Sequence, residues 1–94
     1  MADNFRINSR QKGRAVYLRL SGDFDGTSAL ELIYALREKT GGAEKIYIDT
    51  SGLKSLLPFG RMVFNNNFNF STSAFKKMVF TGEHGREIYP RRVC

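Results

Sequence analysis

The sequence contains few of the residues that cross-link a small protein or build a catalytic centre. Its single cysteine is the last residue, Cys94, and its single histidine, His84, lies between Glu83 and Gly85. One cysteine excludes an internal disulfide and a cysteine metal cluster, and it is compatible with a reducing compartment. We therefore expect no metal or other cofactor, and a His84 that lies in a solvated loop and does not act as a base.

Long hydrophobic runs are also missing. No apolar stretch approaches the roughly 18 residues of a membrane-spanning helix, and the segment Met1–Asn4 lacks the charged-then-apolar order of a signal peptide. We expect a cytoplasmic protein without a membrane span. The chain has 94 residues, of which 41% are hydrophobic, and this length predicts a single domain over residues 1–94.

Acidic residues are outnumbered by basic ones, nine against 15, which gives a formal charge of +6. This excess favours an anionic partner such as nucleic acid or an acidic protein face. The basic residues are spread over both ends of the chain, however, and no RNA-recognition signature, zinc knuckle or basic heptad helix organises them. Solubility is the simpler explanation, and nucleic-acid binding stays open as an alternative.

The first third of the chain has the pattern of a β-hairpin followed by a helix. Residues 5–9 and 15–22 alternate apolar and polar side chains around a turn at 11–14. After a predicted loop at 22–27, Ser28 and Glu31 fit a capping box. Apolar residues at 29, 32, 33 and 36 form the stripe of a helix that ends at Gly41-Gly42.

The remainder alternates short strands and helices. A strand is predicted over 45–49, a turn over 50–52, and a helix from Pro58 through 64, with 65–75 as a frayed helix end or a loop. Another strand at 77–82 precedes one or two helical turns over 83–89. The predicted fold class is α/β, with a small mixed β-sheet and helices packed on one face.

Several short segments, taken together, resemble the STAS family, the domain of anti-sigma factor antagonists and sulfate transporter tails. These segments are Gly22-Asp23-Phe24-Asp25, the helix that follows, Ile46 to Leu53, and Gly60 at the opening of the next helix. The resemblance covers residues 5 to 88. It implies that Gly22 and Asp25 belong to the first family loop, Asp49, Ser51 and Gly52 to a motif at a strand end, and Gly60 to the helix-opening motif.

The sequence departs from the family at the helix opening. The serine that is phosphorylated in family members falls on Phe59, and the aspartate two residues earlier falls on Leu57. The resemblance therefore implies a binding module that cannot be switched at this site. We expect a protein partner, an anti-sigma-factor-like kinase or an assembly subunit, to contact these residues: Asp25, Leu57, Pro58, Phe59, Gly60 and Arg61.

Three alternatives remain beside this reading. Leu57 and Phe59 would instead turn inward and fill the core, or Thr50, Ser51 or Ser55 would accept phosphate in place of the missing serine. Tyr17, Arg19 and Tyr47 would form a nucleic-acid surface on the solvent side of the sheet.

A shortened final strand at 91–94 would leave an unpaired edge and favour a dimer. An enzyme is not expected, because Asp23 and Asp25 suit turn and helix-capping roles and lack a nucleophile.

Overall fold

The computed structural model describes residues 4–39, 42–67 and 76–88. Predictions about Cys94, residues 68–75 and a strand at 91–94 lie outside these residues. The described elements follow the expected order: β1 (Arg6–Lys12), β2 (Ala15–Phe24), α1 (Gly26–Lys39), β3 (Lys45–Leu56), α2 (Pro58–Asn67), β4 (Met78–Thr81) and α3 (Gly85–Ile88).

The described strands form one mixed sheet in the order β1-β2-β3-β4. Strands β1 and β2 are antiparallel, joined by a tight turn in which Gly13 has a φ of 61°. Strand β3 lies parallel to β2, and β4 lies parallel to β3. Parallel neighbours need a long crossover, and α1 and α2 supply it, so the prediction of a mixed sheet is confirmed.

Buried and exposed residues alternate along β2, and this shows which face of the sheet the helices cover. Val16, Leu18 and Leu20 are buried, whereas Tyr17 and Arg19 are exposed. The buried side chains share one core with the stripe of α1 and with Phe64 of α2. The helices therefore pack on one face, as predicted. Within the described ranges, no helix has both the length and the apolar character needed to cross a bilayer.

Two predicted irregular segments are wrong, because strand pairing continues through them. Strand β2 extends to Phe24 instead of ending at Gly22, and β3 extends through the predicted turn at 50–52 to Leu56. Irregularities in the register between β2 and β3 accommodate this stretch. Such bulges admit the glycine, serine and aspartate residues that are otherwise typical of turns.

Candidate partner-binding site

Two strand ends and two helix starts meet at one edge of the sheet. Because β2 and β3 are parallel, their last residues, Phe24 and Leu56, lie side by side. The backbone amide of Leu57 donates a hydrogen bond of 3.0 Å to the carbonyl oxygen of Phe24. This geometry brings together all six residues predicted from the sequence, and we call Asp25 and Leu57–Arg61 the corner.

Gly60 allows the two helix starts to approach so closely. A Cβ atom at this position would lie 2.5 Å from the carbonyl oxygen of Phe24 and 2.8 Å from the carbonyl carbon of Asp25. Real Cβ contacts are not this short, so a larger residue would push α2 away from the sheet edge. The glycine of the helix-opening motif is therefore required by backbone packing.

Asp25 has a structural role at the corner, since it caps α1. Its Oδ1 atom accepts hydrogen bonds of 2.9 Å from both the amide and the hydroxyl of Ser28. Its own carbonyl oxygen accepts the first helical bond, from the amide of Ala29. The prediction that Ser28 caps the helix is wrong: the helix starts at Gly26, and the buried Ser28 is the third helical residue.

The tip of the corner is apolar and exposed. Leu57 is 42% exposed and Phe59 is 62% exposed. These values contradict the alternative in which both side chains turn inward and fill the core. Pro58 and Arg61 are also exposed, so among the six corner residues Gly60 alone is buried.

The ring of Phe59 lies over the first turn of α1. A Cβ atom at Gly26 would be 2.8 Å from Cε2 of this ring and 3.4 Å from a methyl group of Val63. Because Gly26 has no side chain, the ring of Phe59 can lie against the backbone of α1. The ring therefore lies beside Gly26 while most of Phe59 stays in solvent.

The sequence also predicted that the partner contacts the exposed side of α2, and further apolar side chains are exposed there and on α1. Met62 is 48% exposed on α2, and on α1 Leu30 is 43% and Tyr34 is 58% exposed. We call Leu57, Phe59, Met62, Leu30 and Tyr34 the helix patch. Helical spacing contained the signal for Met62: when Gly60 and Phe64 face inward one turn apart, positions 59 and 62 face outward.

A small polar network holds the chain beside the corner. Ser55 Oγ donates a hydrogen bond of 2.7 Å to Asp23 Oδ1, and Asn4 Nδ2 donates one of 3.2 Å to Asp23 Oδ2. These two hydrogen bonds, that from Ser55 foremost, lower the pKa of the Asp23 carboxyl below its ordinary value. The same hydrogen bonds connect Asp23 of β2 to Ser55 of β3 and to Asn4.

The motif of Asp49, Ser51 and Gly52 does not lie at the corner. It lies inside β3, where the amide of Ser51 donates a hydrogen bond of 2.9 Å to Asp49 Oδ1. Hydrogen bonds from Ser51 are the main cause of a lowered pKa for the Asp49 carboxyl. The resemblance placed this motif at a strand end, and the structure corrects that position.

The three alternative phosphate acceptors differ in exposure and in their hydrogen bonds. Thr50 is fully buried, and its hydroxyl donates a 2.6 Å bond to the carbonyl oxygen of Thr81. Ser55 is half-buried and bonded to Asp23. Ser51 is the most exposed of the three, and its side chain hydrogen-bonds to the Asp49 carboxyl.

No family model and no curated protein matches the chain in sequence. Solved structures match it in fold. One is a crystal structure of Mglu, with a TM-score of 0.65 and 15% identity, covering 78% of this chain and 18% of Mglu. A second, Mglu in its native form in the presence of 4.3 M NaCl, has a TM-score of 0.64 and 10% identity, covering 88% and 28%. The chain thus spans less than a third of the Mglu chains.

The chain is also similar in structure to SpoIIAA, an anti-sigma factor antagonist, in its unphosphorylated form. The TM-score is 0.57 at 14% identity, and the match covers 89% of this chain and 81% of SpoIIAA. At this identity, the structural match establishes the fold alone. The fold implied by the STAS resemblance is therefore confirmed: this chain has the fold of an anti-sigma factor antagonist.

Proposed function

We propose that the protein is a non-catalytic regulatory module that binds a partner protein through the corner and the helix patch. The observation that carries this proposal is the position of Phe59, which is 62% exposed at a helix start held by backbone contacts. Large aromatic side chains on a rigid support are favoured at the centres of protein interfaces. The whole chain, 1–94, is proposed to act as one domain.

The rigidity of the support strengthens this argument. The backbone bond from Leu57 to Phe24 and the close approach of Gly60 fix the start of α2 against the sheet edge. An anchor that is already in place loses little conformational entropy on binding. The corner therefore suits a preformed contact better than a loop that orders on binding.

The chemistry of the corner favours constitutive binding. Leu57 and Phe59 carry no hydroxyl or carboxylate, and the first turn of α2 contains no acidic residue. Phosphate at a helix start changes the local charge and the fit to a partner, and Phe59 cannot accept it. We propose that the partner, an anti-sigma-factor-like kinase or an assembly subunit, binds without this switch.

The test compares Phe59→Asp with Tyr17→Asp, an equivalent change on the opposite face of the sheet. Each variant is immobilised beside wild type in lysate of its native cells, and the retained protein is identified, purified and titrated by calorimetry. We expect Phe59→Asp to weaken binding by about 30-fold or more, as for a central interface aromatic, and Tyr17→Asp to bind like wild type.

Circular dichroism must first show that both variants are folded. Equal affinity of wild type and Phe59→Asp for the purified partner would contradict the proposal. Size-exclusion chromatography with light scattering separates a further outcome: if Phe59→Asp converts a dimer to a monomer, the corner contacts a second copy of the chain.

A further inference from the structure

The face of the sheet opposite the helices is a second surface, and it has a different chemistry. Alternate residues of β1, β2 and β3 point to this side, and we call it the open face. Its basic side chains are all exposed: Arg6, Arg10, Lys12, Arg19 and Lys45. The corresponding acid is Asp49, whose Oδ2 atom lies 3.9 Å from Nε of Arg19.

This charge is arranged in a line and is not scattered. Arg10 and Lys12 are alternate residues of β1, so their backbones are about 6.8 Å apart along the strand. Arg19 lies on the neighbouring strand, opposite Asn8. Strands thus collect on one face cations that are distant in the sequence, and the result is a basic stripe beside a half-open cleft.

The cleft runs across the sheet and has a volume of about 970 Å³. Its lining includes the three cations Arg10, Lys12 and Arg19, together with Tyr17 and Tyr47. The two tyrosine rings are stacked on each other, with centroids 4.9 Å apart and planes 11° from parallel. Tyr17 is 40% exposed, so part of this ring reaches solvent beside Arg10, the residue opposite it on β1.

We propose that the open face binds single-stranded nucleic acid, with little preference for sequence. Single strands are bound where cations follow the phosphates and aromatic rings stack on the bases. The open face has both: Arg10, Lys12 and Arg19 meet phosphates, while a base extends the stack of Tyr17 and Tyr47. A site for a simple anion would need the cations alone.

This surface shares no residue with the corner. The corner lies at the ends of β2 and β3, where α1 and α2 begin. The two proposals therefore fail separately. Phe59→Asp leaves nucleic-acid binding unchanged, and variants of the open face leave the protein partner bound. The net positive charge of the whole chain, +6, adds long-range attraction to either face.

The experiment is a titration of fluorescein-labelled 12-nucleotide oligo(dT) and oligo(U), followed by fluorescence anisotropy at several salt concentrations. With three to five phosphate contacts, log K should fall against log salt with a slope of about −2 to −3.5. Arg10→Ala should reduce that slope by about 0.7. Arg37→Ala, an exposed cation on α1, is the matched control and should leave the slope unchanged.

Stacking is tested separately from charge. Tyr17→Ala should weaken binding by about 5-fold or more at constant salt, because stacking of one base contributes substantially. Tyr17→Phe keeps the ring and should bind like wild type. Both variants are compared with wild type by circular dichroism before titration.

Three results would overturn the proposal. Equal losses from Arg10→Ala and Arg37→Ala would show attraction by total charge alone. Unchanged affinity of Tyr17→Ala, combined with equally tight binding of heparin, would show a general polyanion surface. Equal affinity for a 12-base-pair duplex would show that no base needs to be exposed.

Discussion

The corner and the open face use the same two central strands but differ in how they are built. The open face consists of alternate side chains of β1, β2 and β3, so its charge follows directly from strand periodicity. The corner depends on backbone contacts between two helix starts, with Gly60 pressed against Phe24 and Asp25. The charge of the open face thus follows from strand pairing alone, whereas the position of Phe59 depends on the junction of the two helix starts.

The largest expected effect separates core from surface within α2. Phe64 is fully buried and packs edge-on against Phe80 with ring centroids 6.3 Å apart, whereas Phe59 is mostly exposed. We expect Phe64→Ala to lower the free energy of unfolding by about 3–5 kcal/mol and Phe59→Ala to lower it by less than about 1 kcal/mol. Urea denaturation measures both. A loss above about 2 kcal/mol for Phe59→Ala would make the corner part of the core.

An intermediate effect tests whether the corner is held by backbone contact. Gly60→Ala places a Cβ 2.5 Å from the carbonyl oxygen of Phe24, and we expect a loss of about 1–3 kcal/mol in the free energy of unfolding. Gly26→Ala is the control, since the atoms nearest its Cβ belong to side chains, the Phe59 ring and Val63. It should change stability by less than about 1 kcal/mol, and equal losses from both variants would refute the distinction.

The smallest effect concerns the network of Asp23 beside the corner. Hydrogen bonds lower the pKa of the folded Asp23 carboxyl, so its stabilising contribution is present above the pKa of the unfolded chain and is lost as pH falls through the lower folded pKa. Stability should therefore fall as pH decreases below about 4. Thermal unfolding from pH 6 to pH 2.5 measures this.

Two variants test whether Asp23 causes the loss of stability at low pH. Asp23→Asn and Ser55→Ala should both make the decline with falling pH shallower, because Ser55 is the main cause of the lowered pKa. If stability declines with falling pH as steeply in both variants as in wild type, other carboxylates cause the decline. Asp49 of the open face, whose pKa is also lowered, is then the first candidate. This outcome would link acid sensitivity to the open face instead of the corner.

Periodicity made most of the fold predictable. The alternation of Val16, Leu18 and Leu20 with Tyr17 and Arg19 identified both faces of β2, and the apolar stripe identified α1. The cap was misassigned because Asp25 and Ser28 are both good capping residues. Their sequence does not decide between them, whereas the end of strand pairing at Phe24 does.

The candidate site was predictable only in part. The STAS resemblance identified the six corner residues and placed Gly60 at a helix start, but it did not reveal whether Phe59 faces solvent. That depends on the rotation of α2, which Gly60 sets by its contact with Asp25. Leu30 and Tyr34 were not included in the site, because the sequence did not show that α1 packs against α2.

Strand β3 connects the two surfaces. It carries Tyr47 on the open face and leads directly to Leu57 at the corner, ten residues and at most about 33–36 Å further along the chain. The residues proposed for the open face and those proposed for the corner are different, so neither ligand would need the contacts of the other. We therefore expect rising salt to weaken the proposed binding of nucleic acid at the open face without removing the apolar contacts proposed for Phe59.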